Sequence, residues 1–254
     1  MTIDQTVSVY GYGRFGKLWA DILAENFHVQ VFSRRGLQPE EVSPGTTICD
    51  QRTIFDCDAL FFCVAISSFE EVLKQSAPYC KKETVFFDTC SVKVFPAGWM
   101  KKYLPEESSI IATHPMFGPD SYRKTTRKLP MVMCNISTAP TIFADWNDYF
   151  TSRSMQVEVM TPEKHDETIA YSQGITHYIG RVLAELQLRP SSIDTHGYRH
   201  LLEIIEQTCN DSRQLFFDLL HFNPYTKQML KSLNHSLDRI STDLAKNEKD
   251  MAAR

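Results

Sequence analysis

What this sequence lacks narrows it first. No stretch approaches the roughly 18 consecutive apolar residues that a membrane-spanning helix requires. Met1 to Thr6 lead into an apolar run with no basic segment ahead of it, so no signal or transit peptide is expected. Charge of one sign is nowhere concentrated: 27 Lys and Arg stand against 31 Asp and Glu, a net charge of −4. Without a basic stripe, neither nucleic acid nor a membrane surface is an expected partner. The seven cysteines are an odd number and form no CxxC pair, and several sit inside apolar runs such as Phe61-Phe62-Cys63-Val64. They read as small hydrophobes in a reducing, cytoplasmic setting, with no metal site expected. There is no internal repeat and no low-complexity tract. What is present is an ordinary globular composition, 43% hydrophobic and 11% aromatic, over 254 residues. That is enough chain for two domains or one large one.

The first half alternates short apolar runs with helical patterns, the signature of a parallel sheet with crossover helices. Strands are predicted at Val7–Tyr10, Val29–Phe32, Thr47–Cys49, Leu60–Val64, Val85–Asp88, Ile110–Thr113 and Met131–Cys134, with Met155–Val159 as a candidate last one. Helical stretches such as Lys17–Glu25, Phe69–Tyr79 and Ala139–Thr151 lie between them. Thr161-Pro162 then makes a good helix start, because Thr can cap free amides and Pro is tolerated in the first turn. Beyond it the pattern is helical nearly to the end, punctuated by Pro190 and Pro224, with a polar, frayed tail expected after Asp243. The expected division is a domain over 1–160 and an all-α domain over 161–254.

Gly11-Tyr12-Gly13-Arg14-Phe15-Gly16 fits G-x-G-x-x-G. The pattern is weak alone, but here it follows a predicted strand and opens an amphipathic helix. In that setting Gly11 allows the tight turn, Gly13 lets backbone approach a pyrophosphate, and Gly16 lets helix and strand pack closely. The helix start, at Arg14 and Phe15, offers free N–H groups and a partial positive charge to the phosphates. The expected fold class is therefore α/β, with an N-terminal Rossmann-type dinucleotide-binding domain whose sheet is mostly parallel. About 20 residues past the first glycine, an acidic residue would bond the ribose hydroxyls of NAD. This chain has Ser33-Arg34-Arg35 instead, two guanidiniums and a hydroxyl that suit a phosphate, so NADP is the expected cofactor. A solvated basic turn is the alternative. Val64 and Ala65, at the end of the fourth predicted strand, complete the expected cofactor contacts.

Asp88-Thr89-Cys90-Ser91-Val92-Lys93 follows one predicted strand, and Thr113-His114-Pro115-Met116-Phe117-Gly118-Pro119 ends the next. Ligands of open parallel sheets bind outside the carboxyl ends of the strands, which carries Ser91 and His114 to the rim of the glycine turn. Histidine titrates near neutrality and can accept a proton as hydride leaves. These runs also carry a resemblance. Together with Ser172-Gln173-Gly174-Ile175-Thr176-His177, Gly180-Arg181-Val182-Leu183 and Gly197-Tyr198 with Leu201-Leu202, they resemble the prephenate and arogenate dehydrogenase family, and more closely its plant-type, NADP-dependent arogenate branch. His-Pro-Met-Phe-Gly-Pro is far more specific than the glycine turn.

The resemblance implies an oxidative decarboxylation in tyrosine biosynthesis: ring C4–H leaves as hydride, the ring carboxylate leaves as carbon dioxide, and the ring becomes aromatic. It implies that His114 helps remove the proton of the C4 hydroxyl, that Ser91 bonds the same hydroxyl, and that His177 lies near the substrate's carboxylates. Gln173, four residues before His177, is expected on the same helix face, off the apolar stripe through Ile175, Ile179 and Val182. The better-studied bacterial prephenate enzymes grip a carboxylate with an arginine where this chain has Glu206 to Ser212, with none before Arg213. Plant-type enzymes resemble it in an acidic residue at Asp211. A carboxylate there would attract the ammonium of arogenate and repel the side-chain carboxylate of prephenate, although a helix-cap role is open to it too. Arogenate, giving tyrosine, is thus expected as the substrate. The alternatives are prephenate, giving 4-hydroxyphenylpyruvate, a non-catalytic NADP-binding sensor of the same fold, and another reductase on this plan. The apolar helical half, notably Leu215 to Phe222, is expected to pair with its copy in a homodimer.

Overall fold

β-Branched and aromatic runs become the strands, and the amphipathic stretches between them become the crossover helices. The structure is a computed structural model and describes residues 5–122 and 128–252. One sheet holds β1 (Thr6–Tyr10), β2 (His28–Phe32), β3 (Thr46–Ile48), β4 (Ala59–Phe62), β5 (Val85–Asp88), β6 (Ser109–Pro115), β7 (Leu129–Asn135) and β8 (Met155–Val159), in the order β3-β2-β1-β4-β5-β6-β7-β8. The first six strands run parallel, as the alternating pattern predicts. β7 departs from it, pairing antiparallel to β6 before β8 pairs parallel to β7. After β3 the chain crosses back to lay β4 beside β1. The strand order therefore reverses between β1 and β4, the place where a crevice opens at the carboxyl edge of such a sheet.

The sheet is covered by α1 (Arg14–Ala24), α2 (Ile66–Ser76), α3 (Val94–Tyr103), the single turn α4 (Pro119–Tyr122) and α5 (Pro140–Ser152). α1 buries Gly16, Trp19, Ala20 and Leu23, one face at helical spacing. Trp19 joins Phe61, Phe87, Trp146 and Phe150 in an aromatic core, with ring centroids 4.2 Å apart for Phe61–Phe87 and 4.7 Å for Phe87–Trp146. Such ring pairs add about 0.5–1.5 kcal/mol each beyond the area they bury. α3 is absent from the sequence prediction because Pro96 and Gly98 interrupt it, yet Pro96, Ala97 and Met100 are buried and hold it in place.

The helical half holds α6 (Pro162–Ile169), a π-turn (Ala170–Gly174), α7 (Ile175–Glu185), α8 (His196–Asn210), α9 (Arg213–His221) and α10 (Thr226–Ala252). Thr161 Oγ1 accepts the Lys164 amide at 3.2 Å and so caps α6. The chain divides into two compact units at His165 and Asp166, inside α6 and a few residues past the expected position. His165 is the last residue of the sheet unit, and its ring bonds His114. The tail expected to fray after Asp243 is helical as far as Ala252. All seven cysteines are free thiols.

Candidate functional site

Two of the three glycines in the turn after β1 are required by the chain itself. Gly11 has φ +108°, and a Cβ there would lie 2.3 Å from the carbonyl oxygen of Cys63. A Cβ on Gly16 would lie 1.9 Å from the carbonyl oxygen of Gly11. Gly13 differs, because a Cβ there would meet nothing within 4 Å. Packing does not demand that glycine, which fits a ligand's close approach. α1 starts after Gly13 with no side-chain cap and no acidic residue in its first turn. Its first amides thus suit an anion, and the cradle fits a dinucleotide pyrophosphate.

The side chains expected to help are placed less simply. Arg14 pairs with Asp120 of α4 at 3.0 Å, both groups more than half exposed. Phe15 stacks on Trp19 at 5.7 Å, so its ring is packing while its backbone lies in the first turn. Ser33 accepts the Gly36 amide in the turn after β2. Arg35 pairs with Glu41 at 2.7 Å, an acidic partner that the sequence reading did not weigh. Arg34 is exposed and makes no ion pair among the described residues. Val64 packs beside Gly11, and Ala65 begins α2. All of these positions lie at the carboxyl ends of β1, β2 and β4, on one edge of the sheet.

The same edge carries Ser91 and His114, beyond β5 and within β6. His114 is 4% exposed, and its Nδ1 lies 2.9 Å from Nε2 of His165. Burial, then His165, then Lys93 push the His114 pKa well below 6.5. Burial and Lys93 push His165 to about 3. Both rings are therefore neutral at neutral pH. Ser91 Oγ is buried with no hydrogen-bond partner among the described residues. Beneath these groups lies a network of buried polar residues. Lys93 Nζ donates to Asp88 Oδ2 and to the Thr113 carbonyl, the latter at 2.5 Å. Asp88 accepts the backbone amides of Cys90 and Thr113, at 3.0 and 3.2 Å.

Within the helical unit, Gln173 lies in the π-turn, His177 on α7, and Asp211 between α8 and α9. His177 Nε2 is 3.7 Å from Asp211 Oδ2. Burial holds the His177 pKa below its ordinary value; Asp211 opposes that shift and Arg181 adds to it. Gln173 Oε1, His177 Nδ1 and Arg181 Nε are buried with no partner among the described residues. Arg181 donates to the Asp211 carbonyl at 2.7 Å and lies over the Phe216 ring. Asp211 is the C-cap residue of α8, while the N-cap of α9 falls to Ser212, whose hydroxyl accepts the Leu215 amide. The inward face of α7 is not its apolar stripe. His177 and Gly180 are buried, and a Cβ on Gly180 would strike the Thr208 hydroxyl at 2.2 Å, whereas Val182 is exposed.

Sequence reasoning missed His165, Asp88, Lys93 and Arg181 as participants. Asp88 and Lys93 stand at the ends of a run it singled out, and only their burial reveals the pairing. His165 is a lone histidine in the first turns of a helix, where solvent is the ordinary expectation. Among the described residues, no group of three or more His, Cys, Asp or Glu could hold a metal ion, and no helix is long and apolar enough to cross a membrane.

Comparison with known proteins adds to this picture. The family model for the prephenate dehydrogenase nucleotide-binding domain matches residues 42–133, and that for the TYRAAT1-like C-terminal domain matches residues 182–254. Arogenate dehydrogenase 2, chloroplastic, of Arabidopsis thaliana is 32% identical over 253 residues, covering 94% of this chain and 69% of that protein. Arogenate dehydrogenase 1, chloroplastic, of the same plant is 30% identical, and the chain spans only 39% of its length. The crystal structure of prephenate dehydrogenase from A. aeolicus, in complex with hydroxyphenyl propionate and NAD+, has the same fold: TM-score 0.76, 15% identity, covering 96% of this chain and 92% of that one. The order of motifs, the nucleotide-binding architecture and the extent of identity agree, and the chain belongs to the prephenate and arogenate dehydrogenase family.

Proposed function

We propose that this chain oxidatively decarboxylates arogenate to tyrosine with NADP as hydride acceptor, prephenate being the alternative substrate. The observation that carries this reading is the buried, neutral His114–His165 couple and a Ser91 hydroxyl without a partner among the described residues, both on the sheet edge that bears the glycine turn. Bound NADP supplies the hydride acceptor. His114, tied to His165 through Nδ1, presents Nε2 as the acceptor for the ring hydroxyl proton. Its depressed pKa makes it a weak base, and a weak base suffices, because loss of hydride from the carbinol carbon makes that hydroxyl strongly acidic. Ser91 Oγ holds the hydroxyl oxygen in line. Aromatisation drives the decarboxylation, so the side chains chiefly orient the ring and hold the proton.

Three further assignments belong to this reading. His177 and Gln173 bond the substrate's carboxylates, and Asp211 attracts the ammonium that arogenate has and prephenate lacks. Arg34, exposed and without an ion pair among the described residues, takes the 2′-phosphate together with Ser33, and Arg35 joins by leaving Glu41. Leu237, Ile240 and Leu244 are exposed along α10 at helical spacing, which supports pairing with a second copy. The functional division follows: a cofactor-binding sheet domain, then a helical domain for substrate and dimerisation.

Purified chain assayed with arogenate and prephenate, each with NADP and NAD, tests the whole reading. Reduced nicotinamide should form fastest with arogenate and NADP, and Arg34→Ala should raise KM for NADP about tenfold while leaving KM for NAD within about twofold. No turnover of either substrate would sink the reading. Faster turnover of prephenate would move it to the alternative, and preference for NAD would remove Arg34 from it.

A further inference from the structure

Lys93 breaks two ordinary rules at once. It is fully buried, and it stands at the amino end of α3, where the helix dipole disfavours a cation. Residues that violate local preference are commonly held there by a functional requirement. The contacts of Lys93 indicate what that requirement is. Its ammonium donates to the carbonyl of Thr113, while its carboxylate partner Asp88 accepts the amide of the same residue. The Thr113 hydroxyl closes the arrangement by donating to the Asp88 carbonyl at 2.5 Å. Both backbone groups and the side chain of Thr113 are thereby tied to the end of β5. The residue after Thr113 is His114. Asp88 also accepts the amide of Cys90, and the residue after Cys90 is Ser91.

We propose that Asp88 and Lys93 are positioning residues that fix the backbone before His114 against the turn before Ser91 and keep an ion pair beside the His114–His165 couple. The inference rests on the acid–base role proposed above for His114. Geometry and electrostatics act together here. One pair locks the spacing of the two groups that meet the substrate hydroxyl, and its cation opposes protonation of the couple. Burial is the largest cause of the low His114 pKa, and Lys93 contributes to that of both rings. Lys93, from the β5–α3 turn, lowers the pKa of both rings, its partner Asp88 stands at the start of the same turn, and α6, which carries His165, adds the buried Asp166 next to it. Cys90 lies in the same turn, and its thiol is pushed well above 9 by burial, so it stays neutral. β7, which pairs with β6, contributes no charged residue, and Val132 stands opposite His114.

The test separates placement from charge. Lys93→Met removes the cation and leaves Asp88, so the couple should protonate more readily. Asp88→Asn leaves the cation alone, so the couple should protonate less readily. Asp88→Asn/Lys93→Met removes both charges at once. It avoids a lone buried charge should Lys93→Met fail to fold. Histidine titration is followed by NMR of the full chain labelled with 15N-histidine, with His114 assigned by its loss in His114→Asn. The double variant should move the midpoint of the couple up by about one pH unit or more, and Asp88→Asn should not move it up. In both, turnover should fall at least about tenfold, as a small misplacement of reacting groups costs, with KM for the cofactor within about threefold. An unmoved midpoint in the double variant, an upward shift in Asp88→Asn, or normal turnover in both would overturn the proposal. The titration needs no substrate, so it decides the matter even if the wild-type chain turned over neither arogenate nor prephenate.

Discussion

The sheet unit and the helical unit differ in what they bury. The first has a continuous aromatic core, with Trp19, Phe61, Phe87 and Phe150 wholly inaccessible. Its polar network at the strand ends is closely bonded. In the second, the buried hydrophobic residues among those described are Ile169, Ala170, Leu219 and Met229, outnumbered by the buried Asp166, His177, Thr208, Asp218, Asn223 and Thr226. Its large apolar side chains are outside instead, among them Leu186, Phe217, Leu237, Ile240 and Leu244. A sheet unit of this kind can stabilise itself and hold reacting groups rigidly. A helical unit that leaves its apolar rows in solvent is suited to pairing, and the polar groups it buries are suited to selecting a ligand.

The largest effect expected from that contrast is at the rigid end. His114→Asn should lower kcat by about 10²–10⁴-fold, the usual cost of losing an acid–base group, while cofactor binding measured by fluorescence titration survives. Near-normal turnover would remove His114 from the mechanism and make the rigid network structural only. The same variant should change the pH dependence of stability. A buried histidine whose folded pKa lies below the ordinary 6.5 binds fewer protons folded than unfolded, so its contribution is lost as pH falls from about 6.5 toward the folded value. Denaturant midpoints should fall less steeply below pH 6.5 in His114→Asn than in wild type.

Next in size is the packing contrast. Trp19→Ala should cost about 3–5 kcal/mol by urea unfolding, because the cavity opens inside stacked rings that cannot collapse. Ile240→Glu, 57% exposed on α10, should leave the folding of a single chain within about 0.5 kcal/mol. Sedimentation should nevertheless show it as a monomer, against the dimer expected of wild type. If Ile240→Glu proved as damaging as Trp19→Ala, or if wild type sedimented as a monomer, the distinction between the units would fail.

The two units were also unequally legible. Periodicity located the strands because each is a short apolar run bounded by turn residues, and the glycine spacing placed the cradle because steric exclusion at Gly11 and Gly16 is a local matter. The antiparallel entry of β7 is not local: it depends on the path between β6 and β7, which no pattern of period two reports. Long-range polar pairing is equally hidden. Nothing in the residue types of Asp88, Lys93 and His165 distinguishes a buried network from a solvated surface. On α7 the apolar stripe misled, because small residues, Gly180 against Thr208, allow the closest helix contact, and Val182 is left outside. Strand-end placement brought Ser91 and His114 to the rim and suggested His114 as a proton acceptor; the motif resemblance supplied the expected contact of Ser91 with the ring hydroxyl and the role expected of His177.

The smallest expected effect lies in the helical unit and concerns choice of substrate. Asp211 is 38% exposed and lies 3.7 Å from His177, so its attraction for a substrate ammonium is that of a partly solvated pair, on the order of 1 kcal/mol or about fivefold. Asp211→Asn should lower kcat/KM for arogenate by about that factor through KM, with kcat unchanged. It should leave prephenate unchanged or slightly improved, because the repulsion of its side-chain carboxylate is relieved. Arg181 bonds the backbone carbonyl of Asp211, not its side chain, so the loop should survive the substitution. The diagnostic quantity is the ratio of the two kcat/KM values. Equal losses on both substrates would mean that Asp211 acts by holding His177 in place, and the preference for arogenate would have to arise elsewhere in the unit.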